Sequence, residues 1–302
     1  MTDSLTRVSV VMPAFNEGPY LLLALEAVLT HPVPGLEVIV VDDGSTPPLR
    51  EMLTPLLPRI RYIYQENGGP GPARNRGIEE ARGEWLAFCD ADDLWHPRKL
   101  ELQLAELERH PEANLCICNE DLIDGDGRVF KKRIRKLRSG SLGDSIFAHQ
   151  MISMSAPLIR RQTLLDCKLR FTTERRFSED WNFWMRGADF FQVCVVDQSL
   201  TCYRKLPSGR ATNQTEKIYS DGLWAIEDAV QYHQSAGLPP VRCEQRRQAA
   251  MHLLDYHRLS SLVAAGRLKD ATPVLRRLWH RPASAETLKA CLKMLLALLR
   301  RS

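Results

Sequence analysis

The chain has 302 residues, of which 44% are hydrophobic and 26% are charged. This composition is typical of a soluble globular protein with one large domain, or a domain and an appendage. The net charge of +4 does not by itself indicate nucleic-acid binding. No apolar run reaches the roughly 18 residues of a membrane span, and the N-terminus lacks a leader pattern. Eight scattered cysteines, several in apolar runs, predict reduced core residues in a cytoplasmic protein.

The first 120 residues predict strands that alternate with helices. Continuous valine-rich runs are typical of strands buried on both faces, and the segments between them have helical length and composition. The predicted strands are 7–13, 36–45, 59–66, 84–89 and 113–119, and the predicted helices are 19–31, 71–83 and 97–110. This alternation predicts a parallel sheet, which binds ligands at the carboxyl ends of its strands.

The pattern is less regular from residue 120 to about residue 210. Strands are predicted at 155–161 and 191–205, and a helix is predicted at 177–190 with Ser178 as its N-cap. After residue 214 the chain is predicted to be helical, and 257–282 has the pattern of a helical hairpin broken at Gly266. We therefore expect an α/β domain at 1–213 and a helical region at 214–302.

The C-terminal segment 285–302 carries leucines at helical spacing. The stripe comprises Leu288, Leu292, Leu295 and Leu299, with the basic residues mostly off it. Such a stripe is usual for a helix packed on a core. A basic amphipathic helix also suits the surface of an anionic membrane, so the segment is open to both interpretations.

Three acidic segments come at or near the predicted ligand-binding edge. They are Asp42-Asp43 after the second strand, Asp90, Asp92 and Asp93 after the fourth, and Glu179-Asp180 at a later helix start. Each segment by itself is also typical of a turn or a helix cap. Turns and caps alone do not explain why all three segments come at the same edge.

The D-x-D spacing of Asp90 and Asp92 has a specific chemical meaning. Residues two apart on an extended chain point the same way, so both carboxylates can face the crevice. A hard cation such as Mg²⁺ or Mn²⁺ takes oxygen ligands, often one or two carboxylates plus substrate phosphates. The spacing therefore favours an open site for a divalent cation.

Four segments, in this order, resemble the family 2 glycosyltransferases with the GT-A fold. They are VSVVMPAFNEGPYLLLALEAVL, LEVIVVDDGST, NGGPGPARNRGIEEARGEWLAFCDADDLWHPRKLE and FSEDWNFWMRG, and the match covers roughly residues 7–205. The resemblance implies an α/β, Rossmann-like, mostly parallel sheet flanked by helices. Its nucleotide-binding half would be about 1–120 and its acceptor half about 121–213, with the helical extension 214–302 outside the resemblance.

The resemblance also implies an activity. A sugar would move from a nucleotide diphosphate sugar, most simply a UDP-sugar, to an acceptor hydroxyl with inversion at the anomeric carbon. The acceptor would be a glycan or a lipid-linked glycan in polysaccharide synthesis. The enzyme would be cytoplasmic, with peripheral membrane contact through 285–302 as an option.

Roles for individual residues follow from the same resemblance. Around the nucleotide it implies Ala14, Phe15 and Glu17 at the base and ribose, Asp43 as acceptor of a hydrogen bond from the base, and Arg74 near the phosphates. In the D-x-D motif of Asp90, Ala91 and Asp92, it implies Asp92 as main ligand of Mn²⁺ or Mg²⁺ and Asp90 as ribose or metal-water contact. At the acceptor it implies Asp180 as catalytic base, Glu179 beside it, and Trp181 or Trp184 as platforms.

The sequence departs from the family pattern after the pair Tyr203-Arg204. Many relatives carry a histidine shortly after this pair, where Leu206 stands here. We therefore expect Lys205 or Arg210 to replace it as a phosphate contact.

Two other functions share parts of this sequence pattern. A sugar-phosphate nucleotidyltransferase would share the sheet and the carboxylates, but its usual glycine- and arginine-rich loop is absent from PAFNEG (13–18). A non-catalytic nucleotide- or nucleic-acid-binding protein would use the basic run 131–138. That run has no interleaved aromatic residues, so we expect no nucleic-acid partner.

Overall fold

The structure is a computed structural model that describes residues 7–133, 138–149, 152–206 and 214–279. The chain divides into two compact units. The first contains the described residues of 1–143 and 152–206, and the second contains those of 144–151 and 207–302. The sequence suggested one boundary near 213, but the short segment 144–151 also belongs to the second unit.

The described residues of the first unit contain a ten-stranded sheet. Its strands are β1 (Val8–Ala14), β2 (Leu36–Asp43), β3 (Arg61–Gln65), β4 (Trp85–Phe88), β5 (Leu94–Trp95), β6 (Leu115–Ile123), β7 (Val129–Arg133), β8 (Gly140–Ser141), β9 (Leu158–Arg160) and β10 (Gln192–Arg204). The order is β3-β2-β1-β4-β9-β6-β10-β5, with β7 on β6 and β8 on β10.

The sheet is parallel where the sequence alternates most clearly. Strands β3, β2, β1 and β4 run parallel, as do β6 and β10. Strand β9 lies antiparallel between β4 and β6, and β5, β7 and β8 also pair antiparallel. The valine-rich run of β1 is buried on both faces, as predicted, since Val8, Val10 and Val11 have no exposed surface.

Helices cover the sheet of the first unit. They are α1 (Gly18–Leu29), α2 (Pro70–Glu80), α3 (Lys99–Arg109), α5 (Arg161–Asp166) and α6 (Glu179–Arg186), with a 3₁₀ helix at Thr54–Arg59. Helix α1 has Pro19 in its first turn, where the missing N–H costs nothing. It buries Leu21, Ala24, Leu25 and Val28, a helical i, i+3, i+4, i+7 stripe.

Helix α2 lies unusually close to β1. A Cβ atom added to Gly77 would lie 2.1 Å from Cγ1 of Val11, well inside any real carbon–carbon contact. The predicted helix 71–83 ends at Glu80, because Ala81 has an extended backbone. The close contact at Gly77 fixes the position of the residues that α2 carries.

We expect Gly77→Ala to destabilise the fold, although alanine normally favours a helix over glycine by about 1 kcal/mol. The added methyl group overpacks the contact with Val11, which costs about 1–3 kcal/mol. Denaturant unfolding measures the change. Val11→Ala in the same chain should recover part of the loss, and strictly additive effects would contradict the contact.

The second unit is helical in its described residues. It contains α4 (Ser145–Ala148), α7 (Thr215–Ser235), α8 (Pro240–Ala264) and α9 (Leu268–Trp279). Gly266, with φ +73°, separates α8 from α9, so the break predicted at this glycine is confirmed. Ala271, Val274 and Leu278 of α9 pack on Leu259 and Leu262 of α8.

Segment 144–151 joins this unit through a buried arginine. Arg246 of α8 donates to Asp144 at 2.7 Å, and its guanidinium lies 5.0 Å from the ring centre of Phe147. The segment 285–302 lies outside the described residues. No helix in the described ranges has the length and hydrophobicity to cross a bilayer.

Candidate functional site

The carboxyl ends of the parallel strands meet at one edge, as the alternating pattern predicts. The register pairs Ala14 of β1 with Asp42 of β2, and β4 leads directly into the acidic turn at 90–93. Ala14 is buried, while Phe15 and Glu17 are half-buried just beyond β1. Ala91 is buried within the acidic turn.

Asp42 is a structural residue of this edge. It is fully buried and accepts hydrogen bonds from the backbone N–H groups of Ser45 and Leu49 and from the hydroxyl of Tyr62. These bonds fold the DDGS turn behind β2. Asp42, the first of the two aspartates, is therefore a turn residue, as the structural alternative in the sequence analysis allows.

Asp43 anchors the neighbouring loop. Its carboxylate accepts from the side chains of Gln65 (2.7 Å) and Asn67 (3.2 Å) and from the backbone N–H groups of Gly68 (2.9 Å) and Gly69 (2.7 Å). A carboxylate has about four acceptor positions, and all are used here. A contact to a nucleotide base, as predicted for Asp43, would require one of these donors to leave.

Arg74 joins two distant acidic segments. It is buried, and its Nη1 donates to Oε1 of Glu179 at 2.9 Å while its Nη2 donates to Oδ1 of Asp90 at 2.8 Å. The two carboxylates raise the pKa of the guanidinium, against the effect of burial. Arg74 therefore bonds to two carboxylates here, and its phosphate contact stays a prediction.

Asp180 follows Glu179 in the first turn of α6. Asp180 is half-buried and accepts the N–H of Trp181 at 2.7 Å. Burial raises the pKa of Asp180, while Arg74 opposes that rise. Burial and the nearby charge of Asp180 raise the pKa of Glu179 to about 7. Ser178 occupies the N-cap with φ +61° but makes no side-chain capping bond, so the predicted cap is wrong in its chemistry.

Asp92 carries a negative charge that its surroundings oppose. Burial raises its pKa to about 6, and the charges of Asp90 and Glu17 add to the rise. Asp92 and Asp90 are both half-buried, so their carboxylates reach the surface of the edge. A carboxylate whose pKa is raised by burial and by neighbouring carboxylates is typical of functional sites.

Asp93 and Arg204 hold the acidic turn from behind. Buried Asp93 accepts from the Ser155 hydroxyl and from the N–H of Arg204 at 3.1 Å. The Arg204 side chain donates to the carbonyl oxygen of Asp92 at 2.8 Å, and its guanidinium lies 4.6 Å from the ring centre of Tyr20. Sequence reasoning used the Tyr203-Arg204 pair only as a landmark and missed this role.

Tyr203 was also missed. Its side chain is exposed, with 42% of the residue accessible, and its phenol lies in the field of the acidic turn. The part of the phenol that is shielded from water raises its pKa despite the accessible remainder, and Asp93, Asp92 and Asp90 raise it further. Leu206 is half-buried and Lys205 is exposed, whereas Arg210 lies outside the described residues.

The two predicted acceptor platforms do not fit the structure. Trp184 has no exposed surface and packs edge-on against Phe183 and Phe191. Trp181 is only 4% exposed. Helix α6 turns these large rings toward the core, because burial of aromatic surface is the strongest stabilising contribution that this short helix offers.

A divalent cation fits the acidic turn only as an open site. In the ranges that the structure describes, no three His, Cys, Asp or Glu side chains form a group able to hold a metal by themselves. Asp90 and Asp92 supply two carboxylates, which is the protein share of a Mg²⁺ or Mn²⁺ site completed by phosphates. The raised pKa of Asp92 agrees with that chemistry.

The chain is similar in sequence to known bacterial proteins. An uncharacterized glycosyltransferase of Rickettsia felis is 31% identical over 231 residues, which are 74% of this chain and 37% of that protein. This chain therefore spans little more than a third of the rickettsial relative. The succinoglycan biosynthesis protein ExoO of Rhizobium meliloti is 28% identical over 288 residues, covering 89% of this chain and 82% of ExoO.

Solved structures share the fold. S. aureus TarS 1-349 in complex with UDP-GlcNAc has a TM-score of 0.69 at 20% identity, covering 89% of this chain and 79% of that one. The mannosyltransferase PcManGT from Pyrobaculum calidifontis, in complex with GDP-Man and Mn²⁺, has a TM-score of 0.58 at 20% identity, covering 97% and 80%. At these identities the likeness shows the fold alone, and it confirms the expected GT-A architecture.

The sequence profile described as "Glycosyl transferase family 2" matches residues 9–166, just over half of the chain. The matched region contains β1, β2, α2 and the acidic turn. The family suggested by the ordered motifs is confirmed, and this chain belongs to glycosyltransferase family 2.

Proposed function

We propose that the chain is a metal-dependent, inverting glycosyltransferase. It moves a sugar from a nucleotide diphosphate sugar, in the first instance a UDP-sugar, to a hydroxyl of a glycan or lipid-linked acceptor in polysaccharide synthesis. The observation that carries the proposal is the convergence of the D-x-D turn and Asp180. Arg74 bonds to Asp90 of that turn and to Glu179, the residue next to Asp180.

In this proposal Asp180 is the catalytic base. An acceptor hydroxyl is a weak nucleophile, and a carboxylate within hydrogen-bond distance activates it by taking its proton. The acceptor oxygen forms a bond to C1 of the sugar as the bond from C1 to the diphosphate oxygen breaks. The electron pair leaves with the diphosphate, and the in-line displacement inverts C1.

Asp92 and Asp90 would hold the cation, Mn²⁺ or Mg²⁺. When bound, such an ion supplies charge stabilisation for the developing diphosphate. The chain's own contribution is a rigid acidic turn, which Asp93, Ser155 and Arg204 fix from behind. Tyr203 is the exposed aromatic residue whose phenol lies near that turn, whereas Trp181 and Trp184 are buried.

The ligands bound in the similar structures support a nucleotide-sugar donor but not one particular base. TarS was solved with UDP and with UDP-GlcNAc, and PcManGT with GDP-Man. We propose uracil as the base because the ring N3–H of uracil is a donor that Asp43 can accept. Gln65 and Asn67 are the partners of Asp43 that donate through side chains and can turn away, since the two glycine N–H donors belong to the backbone.

We expect UDP to bind more tightly than CDP in calorimetry with Mn²⁺ present, because cytosine lacks the ring donor. A site that hydrogen-bonds its ligand discriminates against an analogue that leaves the polar group unpaired. Gln65→Ala should strengthen UDP binding and leave CDP binding unchanged, since one acceptor position of Asp43 becomes free. Equal affinity for the two nucleotides in the unaltered protein would contradict the role of Asp43.

The activity itself is tested by a donor screen with a panel of acceptors. Glycosyl transfer from a UDP-sugar releases UDP, whereas a nucleotidyltransferase forms or consumes pyrophosphate. Release of UDP that depends on an acceptor supports the proposal. Production of pyrophosphate from a sugar phosphate and UTP would favour the nucleotidyltransferase, and nucleotide binding without turnover of any donor would favour a binding protein.

A further inference from the structure

We propose that the Arg74-Asn75 pair of α2 is a positioning device for the catalytic base. Arg74 ties the N-terminal turn of α6 to the acidic turn after β4, and so sets the place of Asp180 relative to Asp90 and Asp92. This inference rests on the proposed function, because it assigns Asp180 the role of base. It gives Arg74 a role distinct from the nucleotide contact that the family resemblance implies.

The first support is the ionic link. The two terminal nitrogens of Arg74 each bond to a different carboxylate, Glu179 at 2.9 Å and Asp90 at 2.8 Å. The side chains of Arg74 and Glu179 are only 6% and 9% exposed. A planar guanidinium can hold two carboxylates at a fixed separation, which a lysine ammonium does less well.

The second support is an aromatic link between the same two elements. The guanidinium of Arg74 lies 5.5 Å from the ring centre of Phe171. The Phe171 ring stacks on Phe183 of α6, with centres 4.1 Å apart and planes 8° apart. It also meets Phe88 of β4 edge-on, with centres 5.5 Å apart. The strand that leads into the acidic turn and the helix that carries Asp180 are therefore joined through one ring.

The third support is the clamp made by Asn75. Its Nδ2 donates to the carbonyl oxygen of Phe171 at 2.8 Å, and its Oδ1 accepts the N–H of Phe171 at 2.9 Å. The approach is close, since a Cβ atom on Gly71 would lie 2.4 Å from the carbonyl oxygen of Thr172. Consecutive residues of α2 thus hold both links, Arg74 the ionic one and Asn75 the aromatic one.

The burial of these bonds favours positioning over phosphate binding. If Arg74 turned to a diphosphate, the buried carboxylate of Glu179 would lose its partner, and a buried unpaired charge is strongly destabilising. Helix α2 also cannot shift toward a ligand without disturbing the contact between Gly77 and Val11. The pair therefore behaves as a fixed link between two functional segments.

Arg74→Lys tests the role, because it keeps the charge and loses the two-pronged geometry. We expect kcat for transfer to fall by about 10- to 100-fold, since a small misplacement of the base is enough for such a loss. The Kd for UDP in calorimetry should change by less than about threefold. Arg76→Lys is the matched control on the same helix, since Arg76 is exposed and bonds only to Glu80 among the described contacts.

Either of two results would overturn the inference. One is unchanged kcat in Arg74→Lys. The other is a Kd for UDP that weakens tenfold or more while kcat stays constant, because that is the signature of a phosphate contact.

A double-mutant cycle on thermal stability tests the link between Arg74 and Glu179 without any measurement of activity. Arg74→Met and Glu179→Gln should each lower the melting temperature, and the double variant should lose less than the sum, because the buried Glu179 carboxylate is then no longer left without its partner. Additive losses would overturn the link. If the cycle shows coupling but the unaltered protein transfers no sugar, the link stands and the proposed function fails.

Discussion

Replacing Asp180 with asparagine is expected to lower the rate of sugar transfer by about 10²- to 10⁴-fold, the usual size of a general-base contribution. The amide cannot take a proton from the acceptor hydroxyl. Its oxygen can still accept the N–H of Trp181, so the start of α6 keeps its local bond. Nucleotide affinity and melting temperature should therefore change little, and single-turnover assays beside calorimetry measure both sides of this expectation.

Glu179→Gln is the neighbouring comparison for Asp180→Asn. Adjacent residues on a helix point about 100° apart, and the Glu179 carboxylate already faces Arg74. We expect a smaller loss of transfer than in Asp180→Asn, arising from the weaker link to Arg74. An Asp180→Asn enzyme that is destabilised but fully active would reduce the acids to helix-capping residues, which contribute about 1 kcal/mol to stability.

The pH profile adds a second readout on the same variant. A base must be ionised to accept a proton, so its raised pKa moves the acid limb of the profile upward. Transfer by the unaltered enzyme should fall at a pH above that of an ordinary aspartate, whose pKa is about 3.9. The acid limb of Asp180→Asn should differ in position, because Asp180 no longer contributes to it and only other carboxylates, such as Asp92, still titrate. An identical limb in both enzymes would mean that another group titrates.

The sequence predicted the strands, the position of the acidic edge and the break between two helices, because each depends on residues close together in the chain. The valine-rich runs predicted β1 and β2 because a strand buried on both faces has no room for polar residues. The rule for ligand sites in parallel sheets then placed Asp43, Asp90 and Asp92 at one edge. The break at Gly266 was also predictable, since its positive φ is easy only for glycine.

Partners far apart in sequence were not predictable in this way. Arg74 and Glu179 are 105 residues apart, and no periodicity reports which carboxylate an arginine meets. Asp43 was read as a free acceptor, although four donors from 65–69 fill it. The rings of Trp181 and Trp184 were read as exposed platforms, because sequence gives their aromatic character but not the face of α6 that packs inward.

Asp92→Asn is expected to lower the rate of sugar transfer and to raise the stability of the metal-free protein. Transfer should fall by about 10²-fold or more, because the cation that stabilises the departing diphosphate loses its main ligand. Chelation by EDTA should likewise abolish transfer in the unaltered enzyme, and Mn²⁺ or Mg²⁺ should restore it. Asp126→Asn, on an exposed turn, is the control for loss of one aspartate.

The expected stability change follows from the charges around Asp92. Its pKa is raised from the ordinary value to about 6 by burial, Asp90 and Glu17, so the folded protein disfavours the ionised form. That destabilisation is absent below the ordinary aspartate pKa and fully present above about pH 6. At pH 8 without metal, Asp92→Asn should therefore melt at a higher temperature than the unaltered protein.

Metal with UDP should reverse this order. Anything that binds the folded state raises its stability, so Mn²⁺ and UDP together should raise the melting temperature of the unaltered protein and raise that of Asp92→Asn far less. Full activity in EDTA would show that the acidic turn is not a cation site. The same conclusion would follow if Asp92→Asn were less stable than the unaltered protein without metal and were stabilised equally by Mn²⁺ and UDP. The opposed result would mean that the chain keeps a destabilising cluster of charges because the bound cation and diphosphate complete it.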